Sequence, residues 1–235
     1  MCWASAQNLI DRKVKQMDQK VQREEKLEGM YLTYLLSSNK LSLAETSNTM
    51  FWTLYHLARD PEVQNRLYQE VVSVCPDRKL LSPEDLSRMP YLKAVIKETL
   101  RLYPVVAGNG HLAVENEVVV GGYWFPKQTQ FHLCHYAASH DETEFPDAEA
   151  FIPERWLRGG PLYSQHHPYS SIPFGVGVRA CLGKRVAELK MYFAISRLLQ
   201  HYEVRPLNGA PTVHPKTRTL LIPSKPINLH FVPRT

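Results

Sequence analysis

Cys181 stands in a run rich in glycine, Phe174-Gly175-Val176-Gly177-Val178-Arg179-Ala180-Cys181-Leu182-Gly183, that leads into an apolar repeat. Leu182, Val186, Leu189 and Phe193 recur at i, i+4, i+7 and i+11, one face of an α-helix. This spacing puts Cys181 at a helix N-terminus, where unpaired N–H groups and the helix dipole favour an anion. Such surroundings favour the thiolate, the form of cysteine that binds metal. Gly175, Gly177 and Gly183 let backbone come close to the sulfur and to whatever it binds. Arg179 suits a carboxylate or phosphate, and Phe174 offers a flat apolar wall. One thiolate with no neighbouring His or second Cys does not make a zinc site. It suits an iron whose other ligands come from a macrocycle, that is, haem. The plainer alternative is a buried, inert thiol at a helix start.

A second group of residues must hold that loop. Tyr91–Tyr103 reads as a helix stopped by Pro104, and on it Glu98 and Arg101 are three apart, on one face. They make either an exposed pair worth a few tenths of a kcal/mol or a buried pair completed by a second arginine. The candidate for that arginine is Arg155, in Pro153-Glu154-Arg155-Trp156. Lys93 and Lys97 are four apart and share another helical face.

The rest of the chain supplies the frame. Residues 7–28 carry a thin apolar stripe among charges, a surface helix. Residues 29–38 read as a short buried helix ended by Ser37-Ser38-Asn39, and Thr46–Ala58 as a buried helix. Asp60-Pro61-Glu62 begins a further helix, with Asp60 as N-cap and Pro61 at the first helical position, running to about Val74. Ser82-Pro83-Glu84-Asp85 begins a short one by the same chemistry. Residues 105–135 read as short strands around glycine turns, among them Val118–Val120 and Tyr123–Phe125. Ala137–Phe151 reads as a helical turn and loop, and residues 157–173 as a long loop in which His166-His167 is a solvated pair. The tail reads as a terminal β-hairpin of Thr219–Ile222 with Ile227–Val232.

Composition agrees with a globular protein: 235 residues, 44% hydrophobic, 22% charged. A net charge of +5 is too mild to imply nucleic acid. Cys2, Cys75, Cys134 and Cys181 are scattered, which argues against a zinc ribbon or a disulfide scaffold and suits a reducing compartment. No apolar run reaches 18 residues, so no transmembrane helix is expected, and the first residues contain neither a signal core nor a transit-peptide composition.

The pattern Phe-x-x-Gly-x-Arg-x-Cys-x-Gly is complete here, and it resembles the haem-binding loop of the cytochrome P450 superfamily. Glu98-x-x-Arg101, the Pro153–Trp156 run, the Cys181 loop, then helix and strands follow the order of the C-terminal half of that fold. Lys93, Lys97, Val120-Gly121-Gly122-Tyr123 and Cys134-His135-Tyr136 are similar to its mitochondrial branch, above all the sterol-hydroxylating type, then the retinoid- and vitamin-D-acting enzymes. The resemblance implies a mainly α fold with small β-sheets (α+β), residues 1–235 being part of one domain. Its parts would be charged and short helices at 1–40, helices at 41–104, a β-rich stretch at 105–135, a meander and Cys loop at 136–183, and helix with hairpin at 184–235.

The resemblance further implies haem b ligated by Cys181, which pushes electron density to iron to favour O–O cleavage. Phe174, Gly175, Gly177, Arg179 and Gly183 would line the cofactor. His111 takes the place of an arginine that commonly faces a haem propionate. Glu98, Arg101 and Arg155 would be the structural network. Lys93 and Lys97 would dock a mitochondrial ferredoxin that supplies electrons, so that O2 hydroxylates a sterol-like lipid on the matrix side of the inner membrane, with peripheral membrane association.

Two departures bear on activity. The chain is about half the family's length, lacking the helices that cover the haem. The central helix ordinarily carries Ala-Gly-x-Asp-Thr-Thr before Ser-Asn-Thr. Here Ser42-Leu43-Ala44-Glu45-Thr46 leads into Ser47-Asn48-Thr49, as if a segment were skipped. Glu45-Thr46 could imitate the acid–alcohol pair that delivers protons. The alternative function is a truncated, non-catalytic relative, and slow or absent turnover is the expectation for the chain as written.

Overall fold

A computed structural model describes residues 39–113, 115–163, 165–217 and 220–234. The helices expected at 7–28 and 29–38 lie outside the described residues. The chain divides into two compact units, Met1–Leu43 and Ala44–Thr235, and all the chemistry considered below belongs to the second. Its α+β fold is helices around a main core with, among the described residues, four two-stranded antiparallel sheets.

Helix α1 spans Asn39–Arg59 without a break, so Asn39 begins a helix rather than closing the turn expected at 37–39. Asp60 ends it and starts α2 (Pro61–Val74): its extended backbone turns the chain, and its carboxylate accepts from Val63 N at 3.0 Å. This capping satisfies an otherwise unpaired donor and is worth about 1 kcal/mol. Ser82 and Asp85 bond reciprocally, Ser82 N to Asp85 at 2.9 Å and Asp85 N to Ser82 at 3.3 Å, before a 3-10 turn at Asp85–Arg88. Helix α3 (Pro90–Leu102) again has proline in its first turn. Its first two free N–H groups, on Tyr91 and Leu92, each donate to Glu70 of α2 at 2.8 Å. Burial raises the Glu70 pKa, and these two bonds work against that rise.

Helix α5 (Lys184–His201) completes the bundle. Leu57 of α1, Leu67 and Val71 of α2, Leu92 and Val95 of α3, and Ile195 and Leu199 of α5 are all fully buried in one cluster. Each contributes roughly 1.5–3 kcal/mol of burial. A second, smaller cluster is aromatic: Trp52 stacks on Tyr103 with centroids 3.8 Å apart and planes 1° from parallel.

The sheets pair β1 (Asn109–Leu112) with β4 (Gln130–Leu133) and β2 (Val118–Val120) with β3 (Tyr123–Phe125). After α4 (His135–Ser139), an irregular meander runs to α5. The tail differs from expectation. Strand β7 (Leu221–Pro223) pairs with β6 (Pro215–Thr217), and β8 (Leu229–Pro233) pairs with β5 (Tyr202–Pro206), so the two terminal runs form no hairpin with each other. The cause is Gln64. Its amide takes both backbone groups of Val204, accepting from the N–H at 2.8 Å and donating to the carbonyl at 2.7 Å. That closes one edge of β5 and leaves only the opposite edge to receive β8.

Candidate functional site

The amphipathic α3 helix buries Leu92, Val95 and Ile96 and carries Glu98 and Arg101, both wholly inaccessible to solvent, into the interior. Five donors meet the Glu98 carboxylate. Arg101 gives two, Nε at 3.0 Å and Nη2 at 2.8 Å. Arg155 gives Nε at 3.0 Å, the Ile152 N–H another at 3.0 Å, and the Trp156 indole a fifth at 2.8 Å. Proline at the start of the Pro153–Trp156 3-10 turn fixes the local backbone so that Arg155 and Trp156 both face Glu98.

The guanidinium groups then turn outward to carbonyls. Arg101 donates to Ser139, Ala148 and Ala150 at 2.8, 2.8 and 3.1 Å. Arg155 donates to Pro146 and Asp147 at 3.0 and 3.3 Å. Two guanidinium groups, both anchored on Glu98, thus hold five carbonyls of a stretch with little regular structure. Desolvating these charges costs several kcal/mol per ion. The hydrogen bonds are sufficiently numerous to offset it.

The Phe174–Gly183 loop is a tight excursion. Cys181 N donates to the Phe174 carbonyl at 2.8 Å, closing it, and a single 3-10 turn spans Gly177–Arg179. Gly175 and Gly177 have φ of +69° and +66°, conformations that L residues adopt at a cost. Gly183 has an ordinary φ; a Cβ there would lie 3.8 Å from the Cys181 sulfur, so glycine keeps that flank of the thiol open. The Cys181 thiol is exposed. Around it Val176, Val178 and Leu182 turn 45%, 101% and 81% of their surface outward. Phe174 is half-buried, with Lys184 Nζ 5.7 Å above its ring, and Arg179 is exposed.

Two expectations need correction here. Helix α5 begins at Lys184 with Gly183 as its N-cap, so Cys181 precedes the helix by more than a residue and is not in its first turn. The buried stripe of α5 is Met191, Tyr192, Ile195 and Leu199, not the face of Leu182 and Val186. Core packing against α2 and α3 sets the rotation of the helix; Val186, Leu189 and Phe193 are half-buried, Phe193 at the margin of that core.

A cysteine among exposed apolar side chains on a loop of left-handed glycines fits a flat, apolar, metal-bearing ligand. Among the described residues no group of three or more His, Cys, Asp and Glu could hold a metal alone. The remaining ligands of any metal at Cys181 therefore come from outside these side chains, as in haem.

The other candidates are dispersed. His111 is exposed on β1, opposite Phe131 of β4. Glu45 is exposed and Thr46 half-buried on α1; the Glu45 carbonyl accepts from Thr49 Oγ1 at 3.5 Å. Lys93 lies near Glu70, whereas Lys97 rests its ammonium 5.5 Å over the Trp156 ring. Burial lowers the Lys97 pKa, and Glu188 acts against that. His166, expected to be solvated, packs 4.8 Å from both the Phe145 and Trp156 rings, so only His167 of that pair is exposed.

Sequence reasoning missed several working residues. Trp156 and the Ile152 N–H complete the Glu98 shell. Glu154 accepts from the Tyr91 hydroxyl at 2.7 Å and from Arg66 at 2.8 Å, tying the same turn to α3 and α2. The adjacency of Glu154 and Trp156 to Arg155 was the available signal. His135 was quoted only as part of a resemblance, yet it is 6% exposed with its Nε2 unpartnered.

The geometry agrees with comparison against known proteins. A family model described as Cytochrome P450 matches residues 42–231. The chain is 44% identical to mouse "Sterol 26-hydroxylase, mitochondrial" over 96% of its own length and 46% of that protein. It is 43% identical to the human protein of the same name over the same shares. It is 47% identical to human "25-hydroxyvitamin D-1 alpha hydroxylase, mitochondrial" over 80% of this chain and 37% of that one. The chain spans about half the length of the curated relatives it matches. A family match over most of the described fold, carrying the exposed cysteine loop and the buried Glu98 network within it, leaves one conclusion: the chain belongs to the cytochrome P450 family, whose cofactor is a haem with a cysteine thiolate on its iron.

Proposed function

We propose that this chain carries the haem-thiolate half of a monooxygenase that hydroxylates a sterol-like lipid, with electrons from a mitochondrial ferredoxin at the matrix face of the inner membrane. The exposed Cys181 thiol, on a positive-φ glycine loop flanked by outward-facing Val176, Val178 and Leu182, carries this reading. Cys181 would ligate the iron, and Arg179 and His111 would meet the haem carboxylates. Haem, when bound, supplies reductive activation of O2. With haem bound, Phe174 and the loop's apolar side chains would exclude water on the thiolate side. Glu98, Arg101 and Arg155 fix the meander that leads to the loop. Glu45 and Thr46 would hold and pass protons from α1, and Lys93 and Lys97 present positive charge to an acidic donor protein. The relatives named for sterol and secosteroid hydroxylation support the substrate class.

A second reading, a P450-derived protein without catalysis, is favoured by α1. The helix is continuous through Ser42–Thr46 and has no glycine before Thr46, where the family's helix opens for oxygen. One experiment separates the two. The 235-residue chain is loaded with haem, reduced and exposed to CO, then supplied with ferredoxin, its reductase and a panel of sterols. A strongly red-shifted Soret band that Cys181→Ala abolishes, with coupled product formation, supports the monooxygenase. The same band with NADPH consumed mainly to peroxide supports the second reading. An unshifted band, or one that survives Cys181→Ala, overturns the thiolate assignment.

A further inference from the structure

Five buried side-chain nitrogen or oxygen atoms lack a hydrogen-bond partner among the described residues: on Trp52, His135, Ser196, His201 and Arg234. Buried polar atoms are ordinarily paired. Trp52 is committed to an aromatic stack, and His201 and Arg234 are joined through their backbones at the end of α5. His135 is different. It begins α4 where the chain leaves β4, and the sheet it leaves carries His111.

The backbone around His135 is fixed. Tyr136 N donates to the Ala107 carbonyl at 2.9 Å. The strands approach so closely at Gly108 that a Cβ there would lie 2.8 Å from the Leu133 carbonyl. An imidazole held there, almost closed to solvent, has a donor or acceptor with no protein group to meet. Burial lowers its proton affinity, and the nearby His111 lowers it further. Two imidazoles within electrostatic range, one buried and unpartnered, form a place that an anion would complete.

We propose that His135 is a binding residue for a haem carboxylate, its Nε2–H donating to the group that His111 also addresses. This rests on the haem reading above. It goes beyond that reading because the Cys181 loop and His111 do not require His135 to be polar. His135→Gln keeps an N–H donor; His135→Phe and His135→Leu remove it.

The test is the rate at which the haem-loaded chain surrenders haem to excess apomyoglobin, followed by absorbance, with natural haem and with haem esterified at both carboxylates. Natural haem should leave the Phe and Leu variants about tenfold faster than wild type, and the Gln variant within about twofold. Esterified haem should leave wild type, Phe and Leu variants at similar rates. Equal retention of natural haem by wild type and Phe variant overturns the proposal. So does faster loss of both haems from the variants, which marks a packing role alone. Should the Phe and Leu variants not fold, the wild type decides. In the diamagnetic ferrous carbonyl form, the His135 Nε2 proton resonance should differ between natural and esterified haem; an identical resonance overturns the assignment. A chain that takes up neither haem overturns the haem reading itself, and this proposal with it.

Discussion

Glu98 shares a single oxygen, Oε1, between Arg101 three residues along its own helix and Arg155 across the interior, at 2.8 and 3.0 Å. The carboxylate is therefore the junction of a helix and a meander. Neither arginine alone accounts for its burial. Glu98→Ala or Arg155→Ala leaves a buried charge uncompensated and should lower stability by about 3–5 kcal/mol. Trp156→Phe removes one of the five donors and should cost about 1.5–3 kcal/mol. Urea unfolding of the three variants tests this order. A Trp156→Phe loss equal to that of Glu98→Ala would contradict it.

Gln64 makes a second such junction. Besides clasping Val204, it donates to the Leu57 carbonyl at 2.7 Å, so one amide joins α1, α2 and β5. Gln64→Leu keeps the volume but leaves three backbone groups without partners. A loss of about 2–4 kcal/mol is expected, with amide exchange accelerating first along β5 and β8. Uniform exchange across the helices and this sheet would show that β5 has other support.

His56 sets a pH limit. Burial, then the neighbouring Arg59, lowers its pKa from 6.5 to about 4, and its Nε2 meets the Tyr103 hydroxyl at 3.0 Å. The unfolded chain takes up a proton near pH 6.5 that the folded chain refuses until about pH 4. The stability from neutral His56 is thus complete above pH 6.5 and falls away towards pH 4, by about 3 kcal/mol in full. His56→Gln should flatten that part of the stability curve. Parallel curves for wild type and variant would remove His56 as the cause.

Lys97 and Lys93 are on one face but not in equal surroundings, since Lys97 lies over Trp156. Reversing both charges should weaken binding of an acidic ferredoxin about tenfold or more at low salt, and wild-type affinity should fall steeply as salt rises. Lys97→Glu should also cost stability, by bringing a carboxylate to the aromatic face. Surface plasmon resonance across salt concentrations checks the first point. Salt-independent binding would dismiss an electrostatic dock.

The chemistry of single positions was readable from sequence because its causes are local. Asp60-Pro61 specifies a cap whatever surrounds it, and the fixed residues from Phe174 to Gly183 specify a loop. Glu98 and Arg101 could be put on one helical face by spacing, but only the fold shows that the face is sealed and that Trp156 joins it. The errors concern partners distant in sequence. Strand β8 follows β7 closely, so local reasoning joined them, whereas β8 pairs with β5, whose other edge is held by Gln64, 140 residues before Val204. The stripe from Leu182 to Phe193 has helical spacing, yet Leu182 precedes α5 and the most deeply buried apolar residues are Met191, Ile195 and Leu199, with the rest of the stripe only half-buried beside them. Periodicity reports that a face is apolar; it does not report what covers it.

Synthesis proceeds from Glu98 to Arg155, and 57 residues separate the two. At ordinary elongation rates of about 5–20 residues per second, roughly 3–11 s pass between their appearances. During that interval α3 can form with Arg101 beside Glu98, but the Arg155, Ile152 and Trp156 donors do not yet exist. The acid must wait hydrated, and the face of α3 that bears it cannot close. Docking of the meander is therefore a late event, a long loop closure that sets the order of assembly as well as the final stability. A ribosome paused in that window would present α1, α2 and α3 before either the meander or α5 exists to cover them.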